Sequence, residues 1–292
     1  MNNYFISVIL GIVEGLTEFL PVSSTAHLRI AEALLHIDLT DAYWKMYTVV
    51  IQVGAILALC LLFMGRIMEF IRTFPTGENG DKNIWNHPIS LTFFAFVATS
   101  IPSLLLMKKI SKNMESVNAM AIAFLVGGVI MWIVDAWKVR QDSGVADVEQ
   151  MGIWQAVWIG LCQTLAPLFP GTSRSGATIV AGLVGGLNRQ TALEFSFLLS
   201  IPTMIAATGY DLWKEVIHPK HLADAADAIP LVMDREKWIV LIIGTVVSFI
   251  VALGVVEWFL QWVRKHGLVL FAIYRILLAI VLFTIGKRFL GN

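Results

Sequence analysis

Six stretches of this chain are apolar over about the length that a helix needs to cross a bilayer: roughly 46–64, 89–107, 117–137, 193–213, 238–260 and 268–286. A spanning helix takes about 20 consecutive apolar residues. Such runs leave little choice of fold, because the bilayer core offers no water to satisfy exposed backbone. Of the 292 residues, 57% are hydrophobic and only 14% charged, against about 25% charged in a soluble domain. Mean hydropathy is +0.75. The expected fold is an all-α polytopic membrane protein with six transmembrane helices, in a single membrane domain over 1–292.

The formal net charge is zero, so no basic field points to nucleic acid and none is expected as a partner. Cys60 and Cys162 lie in apolar runs and read as small hydrophobes rather than a disulfide or a metal pair. The opening MNNYFISVILGIVEG has no cationic stretch and no small-residue cleavage site, and reads as part of the mature protein. His218 and His221, in the polar 214–237 stretch, read as surface histidines. Basic residues fall on both sides of the six crossings, so charge assigns no orientation. An even number of crossings places both termini on one side.

Two further segments, 3–36 and 152–188, start apolar, break at a proline and resume as small-residue helices. Pro21 precedes Ser23-Ser24, and Pro170-Gly171 precedes Thr172-Ser173-Arg174-Ser175. Proline ends a helix by removing a donor and clashing with the preceding turn. A hydroxyl residue just afterwards is a good cap for a new helix. Both segments are therefore expected to be re-entrant helical hairpins. They also resemble each other: GIVEGLTEFLPVSSTAH from Gly11 aligns with GLCQTLAPLFPGTSRSG from Gly160, pairing Glu14 with Gln163, Pro21 with Pro170 and Ser24 with Ser173. Three spans separate them, which makes the repeats inverted: repeat 1 about 3–140, repeat 2 about 152–290. Inverted repeats with broken helices place a site near the midplane.

The chemistry lies in these hairpins. Ionisable groups at membrane depth cost on the order of 2.5–3.5 kcal/mol each, yet EGLTEFLPVSSTAH puts Glu14, Glu18 and His27 there. Glu14 and Glu18, four apart, share a helix face. Their repulsion is relieved by a proton, a nearby base or a divalent cation, magnesium or calcium by the hardness of the ligands. Ser24 and His27 can share a face as nucleophile and base, with Glu18 to orient the imidazole. Thr25 belongs to the same cap. The second hairpin offers Gly171, Ser173, Arg174, Ser175 and Thr178 at a helix start. There, unpaired amides, the helix dipole and an arginine fork suit phosphate. A membrane lipid with a diphosphate headgroup would fit, its tail among the apolar helices. Arg275, inside the last run, either reaches that phosphate or pairs with Glu194 or Asp135.

The motifs EGLTEFLPVSSTAH at 14–27, VIQVGAI at 50–56, PGTSRSGAT at 170–178, EFSFLLSIP at 194–202 and FAIYR at 271–275 closely resemble the bacterial undecaprenyl-diphosphatase family, also called bacitracin-resistance proteins. The likeness runs over nearly the whole chain. It implies a multi-pass enzyme of the bacterial inner membrane that hydrolyses undecaprenyl diphosphate to the monophosphate with a divalent cation. That activity recycles the lipid carrier for peptidoglycan synthesis and confers bacitracin resistance. The resemblance maps an acidic motif onto Glu14 and Glu18, a serine–histidine pair onto Ser24 and His27, and an arginine onto Arg174. Whether Ser24 or His27 attacks phosphorus stays open, with Ser24 favoured. This chain departs from the family in Ala26, where STGH is commoner, and in Thr48, where many members carry glutamate. A histidine-based acid phosphatase would place a second histidine where Thr178 stands. A lipid-carrier transporter or flippase without hydrolase activity is the alternative function, and a homodimer is left open.

Overall fold

The structure, a computed structural model, describes residues 2–38, 41–106, 116–139, 144–213 and 233–286. His218 and His221 lie outside these residues. Among the described residues the regular structure is helical, with one isolated bridge between Val145 and Leu187 and turns or irregular segments between the helices. In chain order the helices are α1 (Asn3–Thr17), α2 (Ser24–Leu34), α3 (Ala42–Leu62), α4 (Met64–Thr73), α5 (Pro88–Leu105) and α6 (Val117–Val139). They continue with α7 (Ile153–Gln163), α8 (Arg174–Val184), α9 (Arg189–Leu212), α10 (Arg235–His266) and α11 (Val269–Val281). A single turn, Leu165–Leu168, extends α7, and a wide turn, Leu282–Gly286, extends α11.

Among the described residues, six segments are long and apolar enough to cross a membrane: Ala42–Leu62, Pro88–Leu105, Val117–Trp137, Arg189–Tyr210, Arg235–His266 and Val269–Gly286. This is a multi-pass membrane protein. The caps explain where the helices begin. Asp41 accepts from the Tyr43 and Trp44 amides at 2.7 and 3.2 Å, Asn188 from Thr191 at 2.8 Å, and Asp234 from Lys237 at 2.8 Å. Helix α10 stops at Gly267, whose φ of 70° few other residues would adopt. Helix α4 lies between the apolar runs expected at 46–64 and 89–107, where the sequence announced no further helix. Its Arg66 meets Glu194, Asp147 and Glu69 at 2.9, 2.7 and 3.2 Å.

The two hairpins are α1–α2 and α7–α8. With 15 and 11 residues in the first and 11 in each arm of the second, every arm falls short of the span length, at about 1.5 Å of rise per residue. The arms of each hairpin pack on one another. Their mouths lie at opposite ends of α3. Ser7 of α1 meets Tyr47 near the start of α3, whereas Arg66, just past its end, holds Asp147 ahead of α7. Gln155 closes the second mouth, accepting from Gly152 N at 2.8 Å and donating to Gly185 O at 2.9 Å.

Each hairpin lies against a span from the other half of the chain. Helix α1 packs on α10, and α7 on α5. Missing side chains make this close approach feasible. A Cβ on Gly15 would stand 2.7 Å from Ser248 O, and one on Gly160 would run into the Ala95 backbone. Thr99 then donates to Gly160 O at 2.7 Å.

The two prolines break the chain as expected, but the internal alignment shifts by one residue after them. Ser23, not Ser24, is the counterpart of Ser173. Both cap an 11-residue helix with positive φ, 70° at Ser23 and 59° at Ser173. The second turn is one residue longer between proline and cap. Ser24 therefore occupies the place of Arg174.

Asp135, fully buried on α6, accepts from Arg189 Nε and from Leu268 N, at 2.8 and 2.9 Å. It ties α9 and the start of α11 to α6. Removing it strands a part-buried guanidinium and a buried amide. Asp135→Ala is expected to cost about 3 kcal/mol, the scale for breaking a buried ion pair. The readout is a lower thermal midpoint in detergent, and an unchanged midpoint would refute this role.

Candidate active site

Glu18 is where the two hairpins meet. It caps α1, just ahead of the Pro21 break. Its Oε1 accepts from Arg174 Nη2 at 3.1 Å, and its Oε2 accepts from the Ser24 hydroxyl. The Glu18 side chain is 7% exposed and Arg174 17%, so this ion pair sits largely away from water. Ser24 and Arg174 are each the first residue of the helix after a break, and both point to the same carboxylate.

The backbone at both caps is constrained. A non-glycine residue at positive φ costs roughly 1–3 kcal/mol and persists only when its surroundings hold it. At Ser173 the holding contacts are internal: its Oγ accepts from Gly176 N at 3.1 Å and lies 3.1 Å from Ser175 Oγ. Ser175 in turn donates to Leu20 O at 2.9 Å, crossing to the first hairpin. Ser23 has no side-chain cap bond. Its carbonyl is instead met by the His27 ring, Nδ1 at 2.8 Å.

His27 therefore does not occupy the position expected of a base for Ser24. A carbonyl only accepts, so Nδ1 carries a hydrogen. The other nitrogen, Nε2, lies 2.6 Å from Tyr274 Oη, with the two rings stacked at 16°. The group in hydrogen-bond contact with the Ser24 hydroxyl is Glu18, which holds Ser24 and Arg174 rather than the imidazole. The reason is local: one turn into α2, the His27 ring folds back over its own cap and toward α11.

Glu14 is fully buried, and both its carboxylate oxygens lack a hydrogen-bond partner among the described residues; so does Nη1 of Arg174. An acceptor and a donor are thus both left without partners beside Glu18. Unpartnered buried groups of this kind cost about 1–3 kcal/mol each, more when charged. A divalent cation on the carboxylates and a phosphate oxygen on the guanidinium would satisfy both. Among the described residues no cluster of three or more His, Cys, Asp or Glu side chains forms a ready metal cage. The donor set suits magnesium, which binds through one or two carboxylates and draws its other ligands from phosphate and water.

The other expected phosphate ligands are distributed differently. Thr178 is buried and turned toward α9, its Oγ1 2.5 Å from Ser196 Oγ. Ser173 and Ser175 spend their hydroxyls on the protein, and Thr25 is exposed on the first turn of α2. Gly171, at φ 91°, gives its carbonyl to Arg275 Nη2 at 3.0 Å. Arg275 also donates to Pro21 O at 3.1 Å and Ala123 O at 3.0 Å. It pairs with neither carboxylate considered for it, since Glu194 holds Arg66 and Asp135 holds Arg189. Tyr274 was not among the expected site residues. The one signal available was a phenol next to an arginine deep in an apolar run.

The sequence family described as Bacitracin resistance protein BacA matches residues 7–281. An undecaprenyl-diphosphatase of Koribacter versatilis (strain Ellin345) is 55% identical over 282 residues, 96% of this chain and 97% of the relative. One from Persephonella marina is 40% identical over 275 residues, covering 94% and 96% of the two chains. One from Thermus thermophilus is 40% identical over 279 residues, 94% of each. The match runs through both hairpins and every described span, and this chain belongs to the bacitracin resistance protein BacA family.

Proposed function

We propose that this chain is an undecaprenyl-diphosphate phosphatase of the bacterial inner membrane. It hydrolyses undecaprenyl diphosphate to undecaprenyl phosphate and inorganic phosphate, returning the carrier to cell-wall synthesis and conferring bacitracin resistance. The observation that carries the chemistry is Glu18, which accepts from the Ser24 hydroxyl and the Arg174 guanidinium at once. A carboxylate on a serine hydroxyl is the arrangement of an activated nucleophile. Transport of the lipid alone gives no reason for that pairing.

In this reading the Ser24 oxygen attacks the terminal phosphorus while Glu18 takes its proton. The bond to the bridging oxygen breaks, and undecaprenyl phosphate leaves. Water, its proton taken by a carboxylate, then attacks the phosphoserine; the bond to the Ser24 oxygen breaks, Glu18 returns its proton to that oxygen, and phosphate is released. Arg174 turns its free Nη1 to the phosphoryl oxygens, where charge builds and fixed donors do most of the work. A divalent cation held by Glu14 and Glu18 would supply charge neutralisation at the diphosphate. Every group named comes from one chain, so the chemistry is complete without a second copy. The matching caps and the exchanged packing of the hairpins support an inverted repeat, about 3–140 and 152–290.

Phosphate release by the detergent-purified chain tests the reading directly. Ser24→Ala is expected to abolish turnover. Arg174→Lys keeps the charge but loses the fork, and is expected to lower kcat by about a hundredfold or more, the scale of one lost oxyanion donor. Wild-type rates in either variant would sink the assignment. Chelation with EDTA is expected to stop the reaction and magnesium to restore it. In Glu14→Gln the magnesium concentration for half-maximal rate is expected to rise at least roughly tenfold, as for the loss of a metal-site contact. A rate indifferent to chelation would refute the cation.

A further inference from the structure

We propose that Tyr274 is a positioning residue for this reaction, acting through His27 on the strained cap that presents Ser24. The inference rests on the phosphatase reading above. Two contacts form a chain across two helices to the strained cap. The Tyr274 hydroxyl lies 2.6 Å from His27 Nε2, His27 Nδ1 lies 2.8 Å from Ser23 O, and Ser23 is the residue at φ 70°. Ser24 follows directly, with its hydroxyl on Glu18.

The direction of each bond follows from its acceptor. The Ser23 carbonyl fixes the hydrogen on Nδ1. In the neutral ring Nε2 is then a lone pair, and the Tyr274 hydroxyl donates to it. A ring held at both nitrogens and stacked against the tyrosine has one orientation left. The edge of the Phe124 ring, centred 6.1 Å away on α6, closes another side. Ser23 needs this support more than its counterpart does. Ser173 holds its own cap through its side chain, whereas Ser23 makes no such bond. His27 supplies from the ring what the serine does not, and Tyr274 holds the ring. Its neighbour on α11, Arg275, fixes Pro21 O on the other side of the same turn. Two adjacent residues of one helix thus bracket the segment from Pro21 to Ser24.

Tyr274→Phe tests this with the ring retained. The variant is expected to fold as wild type and to lose kcat by roughly tenfold, the scale of one hydrogen bond, with KM changed less than twofold. In a His27→Gln background the same substitution is expected to change nothing further, because the residue it acts through is already gone. Ring-nitrogen NMR of His27, assigned by its loss in His27→Gln, gives a reading that does not depend on turnover: Nε2 is expected to shift in Tyr274→Phe while Nδ1 stays protonated. Three results would overturn the inference: an unaltered His27 spectrum, a rise in KM at constant kcat, or an equal loss in both backgrounds. Absence of phosphate release from the wild-type chain would instead defeat the proposed function and leave the spectroscopic arm standing.

Discussion

Breaking a helix inside an apolar bundle frees backbone carbonyls and amides that no water can reach, and this structure breaks two. Arg275 resolves much of that problem with one side chain. Its guanidinium, fully buried, takes the carbonyls of Pro21, Gly171 and Ala123, all within 3.1 Å. Two of those carbonyls lie in the two hairpin turns and the third on α6. A planar fork of donors suits such a three-way contact, and a lysine could not reproduce it. The turns are thus held at a fixed separation by the last helix in the chain, and Glu18, Ser24 and Arg174 inherit their relative positions from that clamp. Room for it comes from α6, where a methyl group on Gly127 would run into the guanidinium.

That arrangement explains what the sequence could and could not disclose. Long apolar runs name the spans, because length and polarity are properties of single segments. Their ends were less legible. Helix α10 continues six residues past 260, since Arg264, Lys265 and His266 sit favourably at its carboxyl end before Gly267 stops it. Helix α4 was not legible because little of its apolar stripe is buried, Phe70 apart, and because Arg66 is neutralised by partners far away in sequence. The prolines announced both breaks. The extra residue before Ser173 was invisible, as nothing local marks which serine takes positive φ.

The site shows the same division. Residue types at the hairpins pointed to Glu14, Glu18, Ser24, His27 and Arg174, and the fold gathers the two hairpins around Glu18. Which group touches which was not legible, because Glu18, Arg174 and Tyr274 are separated by 156 and 100 positions and only packing decides their contacts. A serine and a histidine three apart suggest a local pair. Here the helix turns the histidine onto its own cap, and a carboxylate from before the break reaches the serine instead.

Charge balance joins the clamp to the proposed chemistry. Around the two turns stand two carboxylates, Glu14 and Glu18, and two guanidinium groups, Arg174 and Arg275. Glu18 and Arg174 pair, and among the described residues Arg275 meets carbonyls and the Phe124 ring. Glu14 has no hydrogen-bond partner among the described residues. In a medium where an isolated charge is costly, such a pocket is nearly neutral when empty and strongly unbalanced once a diphosphate enters. A divalent cation on the free carboxylate would offset part of that added charge. Substrate and cation would then enter the same pocket as mutually stabilising charges, each making the other's desolvation less costly.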